Sequence, residues 1–199
     1  MALRIIIPVK PFGEAKQRLA PALTAKERAQ LARDLFGHVL ATAVRFAGLR
    51  AAIVISRAPE ILDLAKTSGA LGLLETSSPH LNAALAQAAE FARANASSKL
   101  LIVASDLPFL CEADLAAMTE HDCAVAPDRH RRGTNALLWP TDPLPGFHFG
   151  ESSFERHRAT AIAAGFAPQI ISRPGLAHDV DVPADLPTIV MARESGPRR

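Results

Sequence analysis

The sequence predicts an α/β protein built on one open, mostly parallel sheet with helices on both faces. Short apolar runs alternate along the chain with longer segments of helical periodicity. The apolar runs are continuous, which is typical of parallel strands covered on both faces. With 199 residues, the chain is long enough for one compact domain. We place that domain at residues 1–193 and treat residues 194–199 as a loose tail.

Five apolar segments are predicted as strands. They are residues 3–9, 52–56, 71–74, 100–105 and 123–126. Asp106 comes directly after the fourth of these segments, and Pro108 prevents that strand from continuing. Open α/β sheets bind ligands beyond the carboxyl ends of their strands, so Asp106 is expected at the binding edge.

Three helices are predicted in the first half of the chain. Thr24 and Glu27 have the spacing of a capping box, which would start a helix that runs to about residue 47. Pro59 suits the first turn of a second helix, and the alanine-rich residues 81–96 predict a third.

The composition argues against several classes of protein. The net charge is only +2, aromatic residues make up 5% and tyrosine is absent, which disfavours a nucleic-acid-binding protein. The apolar runs are too short for a signal peptide or a membrane span, so we expect a cytoplasmic protein without membrane contact. Cys111 and Cys123 are not spaced as a CxxC pair and are predicted to be reduced, buried thiols.

Two aspartates near the end of the chain predict a metal site. Asp179 and Asp181 alternate with valines, so in an extended segment both carboxylates would lie on one face, with Cα atoms about 6–7 Å apart. Like charges on one face repel unless a cation lies between them, and carboxylates with substrate phosphates are typical ligands of Mg²⁺. With Asp106, the pair predicts a Mg²⁺ site; an exposed turn with unrelated acids is the alternative.

A basic segment follows the first predicted strand. Residues 8–21 contain Lys10, Lys16 and Arg18 but match neither GxxxxGK[ST] nor GxGxxG. Three cations at the binding edge suit a polyphosphate, whereas the alternative is a solvated charged loop.

Five motifs, taken together, resemble the guanylyltransferases that make the deazaflavin coenzyme factor 420. They are IPVKPFGEAKQRLAP (7–21), ASDLPFL (104–110), GTNALL (133–138), FHFGESSFERH (147–157) and DVDVPADL (179–186). The resemblance implies a nucleotidyltransferase fold of the glycosyltransferase-A type that uses GTP and Mg²⁺. It implies transfer of GMP to the phosphate of phosphoenolpyruvate, 2-phospho-L-lactate or 3-phospho-D-glycerate, with release of pyrophosphate. The choice of acid and the oligomeric state, a homodimer included, stay open.

The resemblance also assigns site residues. Asp106, Asp179 and Asp181 would bind the metal, and Lys16 would bind the triphosphate and share the catalytic role with Asp106. The expected nucleotide-binding residues are Pro8, Val9, Lys10, Lys16, Arg18 and Asn82. The chain departs from the family in two places. His80 replaces a usual glycine, which would matter if that position required a positive φ, and Arg57 and Ala58 follow the second strand where an acid is expected.

The acceptor-binding residues that the resemblance implies are Thr134, Gly150, Ser152 and Ser153. Ser152 and Glu155 have the spacing of a capping box, which predicts a helix running to about residue 164 with unpaired N–H groups facing an anion. An acceptor phosphate is already anionic and needs no general base, so we expect the histidines to be bystanders, with His178 the candidate exception. The segment Arg129–Arg132 is predicted to be a solvated loop.

Two other functions remain open at this stage. A glycosyltransferase would also use an acid pair such as Asp179 and Asp181 to hold a metal and a nucleotide diphosphate, although the chain is short for one. A non-catalytic nucleotide sensor would retain the binding loop but has no need of three acids at one site.

Overall fold

The computed structural model describes residues 2–76 and 80–186 of the chain. Within them, the strands are β1 (Leu3–Pro8), β2 (Ala52–Ser56), β3 (Leu71–Leu74), β4 (Lys99–Val103), β5 (Ala124–Pro127), β6 (Thr134–Pro140) and β7 (Gln169–Ile170). The α-helices are α1 (Ala25–Ala47), α2 (Pro59–Thr67), α3 (Leu81–Ala94), α4 (Glu112–Thr119), α5 (Ser153–Ala163) and α6 (Pro174–Ala177). The five predicted strands are confirmed to within about two residues at their ends, whereas β6, β7, α4 and α6 were not predicted.

The strands form one sheet in the order β3-β2-β1-β4-β6-β5-β7. All neighbouring strands are parallel except β6, which runs antiparallel to both β4 and β5. The predicted fold class, an open and mostly parallel α/β sheet, is therefore confirmed. The parallel strands bring their carboxyl ends, and the loops that follow them, to one edge.

The core lies on both faces of the sheet because the central strands are buried on both sides. On one face, Ile5 and Ile7 pack with Phe36 of α1. On the other face, Ile6 packs with Leu85 of α3. Trp139 is fully buried, and its Nε1–H donates to the carbonyl oxygen of Gly146 at 2.8 Å; it packs on the face of the sheet that α3 covers.

The first helix begins as predicted. Thr24 Oγ1 accepts the backbone N–H of Glu27 at 3.3 Å, and the Glu27 carboxylate accepts the backbone N–H of Thr24 at 2.8 Å. This capping box satisfies N–H groups that the first turn leaves unpaired. It fixes the start of α1, the helix that covers the sheet behind the basic segment.

The two cysteines differ from the prediction in one respect. Both are free, but Cys123 is buried whereas Cys111 is exposed. Cys111 precedes α4, and the carboxylate of Asp114 accepts its backbone N–H at 3.0 Å, so it lies at a helix start and not in the core. The predicted tail and domain boundary lie outside the described residues. None of the helices in the described ranges is long and apolar enough to cross a membrane.

Candidate active site

A cleft of about 1500 Å³ opens at the carboxyl edge of the sheet. Of the predicted site residues, those that line it are Pro8, Val9, Lys10, Lys16, Arg18, Asp106, Thr134, Gly150, Ser152, Ser153, Asp179 and Asp181. Residues separated by more than half of the chain thus meet at one place, as the topology of the sheet requires. Asn82, also predicted as a site residue, does not line the cleft.

Lys16 and the acids meet at the floor of the cleft. Lys16 Nζ donates to the carboxylate of Asp106 and, at 3.4 Å, to Asp181 Oδ1. The Lys16 side chain is only 8% exposed, and its backbone has a left-handed φ of 56°. Burial lowers the pKa of Lys16, but the two carboxylates outweigh that effect and hold its pKa above the usual value. The lysine therefore remains a cation at the edge of the sheet.

Asp179 shows that this site keeps an excess of negative charge. Burial raises the pKa of Asp179, and the charges of Asp106 and Asp181 raise it further. Asn135 Nδ2 donates to the carbonyl oxygen of Leu176 at 2.9 Å and lies 3.4 Å from Asp179 Oδ1. Asn135, which follows Thr134 in β6, was not predicted as a site residue.

The donor set suits a divalent cation, but the arrangement is not a closed metal site. In residues 2–76 and 80–186, no group of three or more His, Cys, Asp and Glu side chains is positioned to hold a metal ion. The Lys16 ammonium is bonded to the carboxylates of Asp106 and Asp181 instead. Carboxylate oxygens are the ligands that Mg²⁺ prefers, and a cation beside Asp179 would offset the burial and the neighbouring charges that raise its pKa.

Asp185 holds the segment that carries Asp179 and Asp181 through hydrogen bonds to its backbone. Asp185 is 3% exposed, and its Oδ2 accepts the backbone N–H groups of Asp181 at 2.7 Å and Val182 at 2.8 Å. Its Oδ1 pairs with Arg129. Arg129 is exposed as a residue, as the predicted solvated loop implies, but its guanidinium also pairs with this buried carboxylate, which was not predicted.

Asn82 is used differently from the prediction. Its amide donates to the carbonyl oxygen of Phe149 at 3.1 Å and accepts the backbone N–H of Phe149 at 2.8 Å. Both polar groups of the side chain therefore tie α3 to the segment before α5, and its place near the base and ribose stays a prediction.

The two departures from the family pattern have structural explanations. His80 has a φ of −139°, which any residue adopts, so the replacement of a glycine there causes no strain. Arg57 forms an ion pair with Glu14 of the basic segment, so an acid is present beside this position although it comes from another part of the chain.

The start of α5 differs from the predicted capping box. Ser152 has a left-handed φ of 53° and makes no side-chain capping bond, because a capping side chain requires an extended backbone at that residue. The backbone N–H of Ser153 donates to Gly150 O at 3.2 Å, and that of Phe154 donates to Arg132 O at 3.1 Å. These two groups are thus not free for an anion, contrary to expectation.

Thr134 contacts a histidine that was expected to be a bystander. His157 is fully buried, and its Nδ1 lies 2.9 Å from Thr134 Oγ1. Its Nε2 lies 2.9 Å from the backbone nitrogen of His148. His178, the candidate exception, bonds through Nδ1 to the carbonyl oxygen of Pro174 at 3.0 Å and does not line the cleft.

Comparison with known proteins identifies a family whose members this chain resembles. The family described as "Guanylyl transferase CofC like" matches residues 3–197. A phosphoenolpyruvate guanylyltransferase of Sphaerobacter thermophilus is 39% identical over 186 residues, covering 91% of this chain and 89% of the relative. One of Rubrobacter xylanophilus is 39% identical over 192 residues, covering 94% and 92%.

Solved structures support the fold. A protein of Desulfovibrio desulfuricans assigned as a nucleotide-diphospho-sugar transferase superposes with a TM-score of 0.79 at 16% identity, covering 98% of this chain and 89% of that one. A cytidylyltransferase of Leptospira borgpetersenii gives a TM-score of 0.67 at 11% identity, covering 100% and 89%. At such low identities the likeness concerns the fold only.

Proposed function

Because the chain belongs to the CofC-like guanylyl transferase family, we propose that it transfers GMP from GTP to the phosphate of a small phosphorylated acid. Pyrophosphate is the second product. The relatives described above are named for phosphoenolpyruvate, which makes that acid the first candidate for this chain. 2-Phospho-L-lactate and 3-phospho-D-glycerate, which differ from it by small groups, are the other candidates. The product would enter deazaflavin coenzyme biosynthesis.

One observation carries this proposal: Lys16 joins Asp106 and Asp181 in the cleft. Asp106 follows β4, which lies between β1 and β6 in the sheet. The basic segment after β1, which holds Lys10 and Arg18, and the start of β6 at Thr134 therefore flank it, and both line the cleft. The arrangement offers a place for a triphosphate and a separate place for an acceptor, with the charged cluster between them.

The reaction requires positioning and charge neutralisation more than proton transfer. An oxygen of the acceptor phosphate attacks the α-phosphorus of GTP, a new P–O bond forms, and the bond from that phosphorus to the bridging oxygen breaks. The electron pair leaves with pyrophosphate, and the acceptor oxygen has no proton to lose. Lys16, held as a cation by its carboxylate partners, would donate to the phosphate oxygens where charge builds up.

We propose Mg²⁺ as the cofactor, with Asp106, Asp179 and Asp181 as its protein ligands. When bound, the ion would neutralise charge on the triphosphate and on the leaving pyrophosphate. Lys16 then changes partners, because the same ammonium that bonds the acids in this structure would bond the phosphates. Asn135 would keep the Asp179 carboxylate oriented while this happens.

The experiment is a measurement of pyrophosphate release with GTP and each of the three acids, with and without Mg²⁺. We expect release that requires both Mg²⁺ and one of the acids, and a product whose mass equals GMP joined to that acid. Reactions with ATP and CTP test the preference for guanine. Absence of release with every acid would contradict the proposal.

The same reactions distinguish the two other functions. A glycosyltransferase would release a nucleoside diphosphate from a nucleotide sugar and no pyrophosphate. A non-catalytic sensor would bind GTP, as calorimetry would show, without turnover for any acid.

A further inference from the structure

We propose that His157 is a positioning residue that fixes the hydroxyl of Thr134 as a hydrogen-bond donor pointing into the cleft. The chemical class recognised there is an anionic oxygen, supplied by the phosphate or the carboxylate of the acceptor. This inference rests on the proposed function for the identity of the acceptor, but the geometry behind it does not.

The first step concerns the protonation of the ring. The backbone N–H of His148 can only donate, and it lies 2.9 Å from His157 Nε2. Nε2 must therefore be the unprotonated nitrogen that accepts this bond. Burial lowers the pKa of His157 to about 3, and the nearby His148 and Arg156 lower it as well. The ring is consequently neutral near pH 7, with its single proton on Nδ1.

The second step concerns the hydroxyl. With its proton on Nδ1, His157 donates to Thr134 Oγ1 across the 2.9 Å contact. The threonine oxygen accepts this bond, so its own hydrogen must point to another acceptor. In the described part of the chain, Thr134 Oγ1 has no hydrogen-bond partner other than His157. Since Thr134 lines the cleft, the remaining acceptor is expected to be a ligand oxygen.

The surroundings of His157 fix the ring in place. It packs edge-on against Phe149, with ring centroids 4.7 Å apart, and against Trp139, with centroids 6.0 Å apart. His157 is fully buried, so bulk water cannot take the place of the hydrogen-bond partners of its ring nitrogens. A buried polar side chain with both nitrogens committed orients its partners strongly.

Nuclear magnetic resonance of the histidine nitrogens tests the first step without any activity. We expect the nitrogens of His157 to report the Nδ1–H tautomer at pH 7, with the signals identified by their loss in His157→Asn. An Nε2–H tautomer or a protonated ring at that pH would overturn the proposal.

Kinetics test the second step. Thr134→Val should raise the acceptor KM by about tenfold or more, as expected for the loss of a hydrogen bond to a charged group, at unchanged KM for GTP. His157→Leu should raise the acceptor KM by about threefold to tenfold, since the threonine keeps its hydroxyl but loses its fixed direction. His157→Asn, which retains an N–H donor near the position of Nδ1, should recover much of this loss.

The double variant separates positioning from a purely structural role. If His157 acts through Thr134, adding His157→Leu to Thr134→Val should leave the acceptor KM as it is in Thr134→Val. His38→Leu, which removes a histidine whose Nε2 bonds Leu110 O at 2.9 Å, is the matched control and should not change either KM. An acceptor KM that stays at the wild-type value in folded His157→Leu would overturn the proposal.

Calorimetry keeps this test separate from the test of the proposed function. If no acid supports pyrophosphate release, the proposed function fails, and binding of phosphoenolpyruvate to the wild type, Thr134→Val and His157→Leu still decides the inference. Weaker binding to both variants supports it, and wild-type binding to His157→Leu, or undetectable binding to all three, overturns it. An analogue of phosphoenolpyruvate with a carboxamide in place of the carboxylate shows which anion Thr134 contacts. If Thr134 contacts the carboxylate, the wild type and Thr134→Val should bind this analogue equally; if it contacts the phosphate, the wild type should still bind it more tightly.

Discussion

Arg129 forms an ion pair with Asp185, the buried carboxylate that also binds the backbone N–H groups of Asp181 and Val182. One carboxylate thus connects the loop after β5 with the segment that carries two of the three acids of the cleft. The side chain of Arg129 is 28% exposed and that of Asp185 is 3% exposed, so the ion pair lies largely out of solvent. The acid pair is therefore positioned by a charge network and not only by its own backbone.

The first prediction is that Arg129→Ala reduces both stability and activity. Removal of the guanidinium leaves the Asp185 carboxylate without its ionic partner, which should lower the free energy of unfolding by about 1–3 kcal/mol in urea titrations. Displacement of the Asp181 backbone should lower kcat by at least about tenfold, because small misplacements of charged groups are costly to catalysis. Arg93→Ala removes an exposed ion pair with Glu90 and is the matched control. Identical behaviour of the two variants would contradict the role assigned to Arg129.

The second prediction is that Asp179→Asn lowers activity without lowering stability. The pKa of Asp179 is raised in the folded protein, so its ionised form opposes folding at pH values above its unfolded pKa. Removal of the charge should leave the melting temperature equal or higher, while kcat falls by about a hundredfold or more if the acid binds the metal. Glu151→Gln, which neutralises an exposed acid of the same cleft, is the control for charge. A clear drop in melting temperature would show that the Asp179 charge stabilises the fold.

The third prediction is that Lys16 matters more than its neighbours in the basic segment. Lys16→Met should raise the KM for GTP and lower kcat, because the buried ammonium is the group that bonds the acids and, with substrate, the phosphates. Lys10→Met should have a smaller effect that depends more strongly on salt, since Lys10 is exposed and its charge is screened. Initial rates at several GTP and salt concentrations measure both effects. Equal loss in the two variants would place the phosphates elsewhere in the cleft.

The fourth prediction concerns acid stability. Burial lowers the pKa of His157 to about 3, whereas an unfolded histidine titrates near pH 6.5. Below about pH 6.5 the unfolded state binds a proton that the folded state does not, so this contribution to stability is complete above that pH and is lost as the pH falls. One such group changes the free energy of unfolding by at most about 1.4 kcal/mol per pH unit. Urea unfolding of His157→Asn between pH 7 and 4.5 should show a shallower decline than the wild type.

The control for the pH experiment is His121→Asn. His121 does not line the cleft, and this substitution is not expected to remove a buried hydrogen bond. Its decline with pH should match that of the wild type. If the stability of His157→Asn also declined with falling pH as steeply as that of the wild type, other groups would cause the acid sensitivity.

Much of the fold was predictable because burial on both faces leaves a continuous apolar run in the sequence. The ends of β2 and β3 match their predicted ends. β6 was missed as a strand because its segment, which begins at Thr134 and Asn135, was read for its polar residues. β7 has only two residues, both exposed, so it carries no apolar pattern.

The acids and the lysine of the cleft were predictable because they follow strands or alternate with valines. The supporting residues were not predictable in this way. Asp185 pairs with Arg129, 56 residues away, and Asn135 bonds the carbonyl oxygen of Leu176, 41 residues away, and no local spacing shows such partners. The capping box of Ser152 and Glu155 failed because Ser152 has a left-handed φ of 53°, which its residue type does not predict.

The most direct test of the central claim follows the oxygen atoms of the acceptor. Phosphoenolpyruvate labelled with ¹⁸O in its phosphate should be incubated with the protein, GTP and Mg²⁺, and the products should be examined by mass spectrometry. The account predicts unlabelled pyrophosphate and a GMP conjugate that retains every ¹⁸O atom, one of them in the new bridge to the α-phosphorus. Formation of GDP, or of free GMP with the labelled acid unchanged, would contradict it.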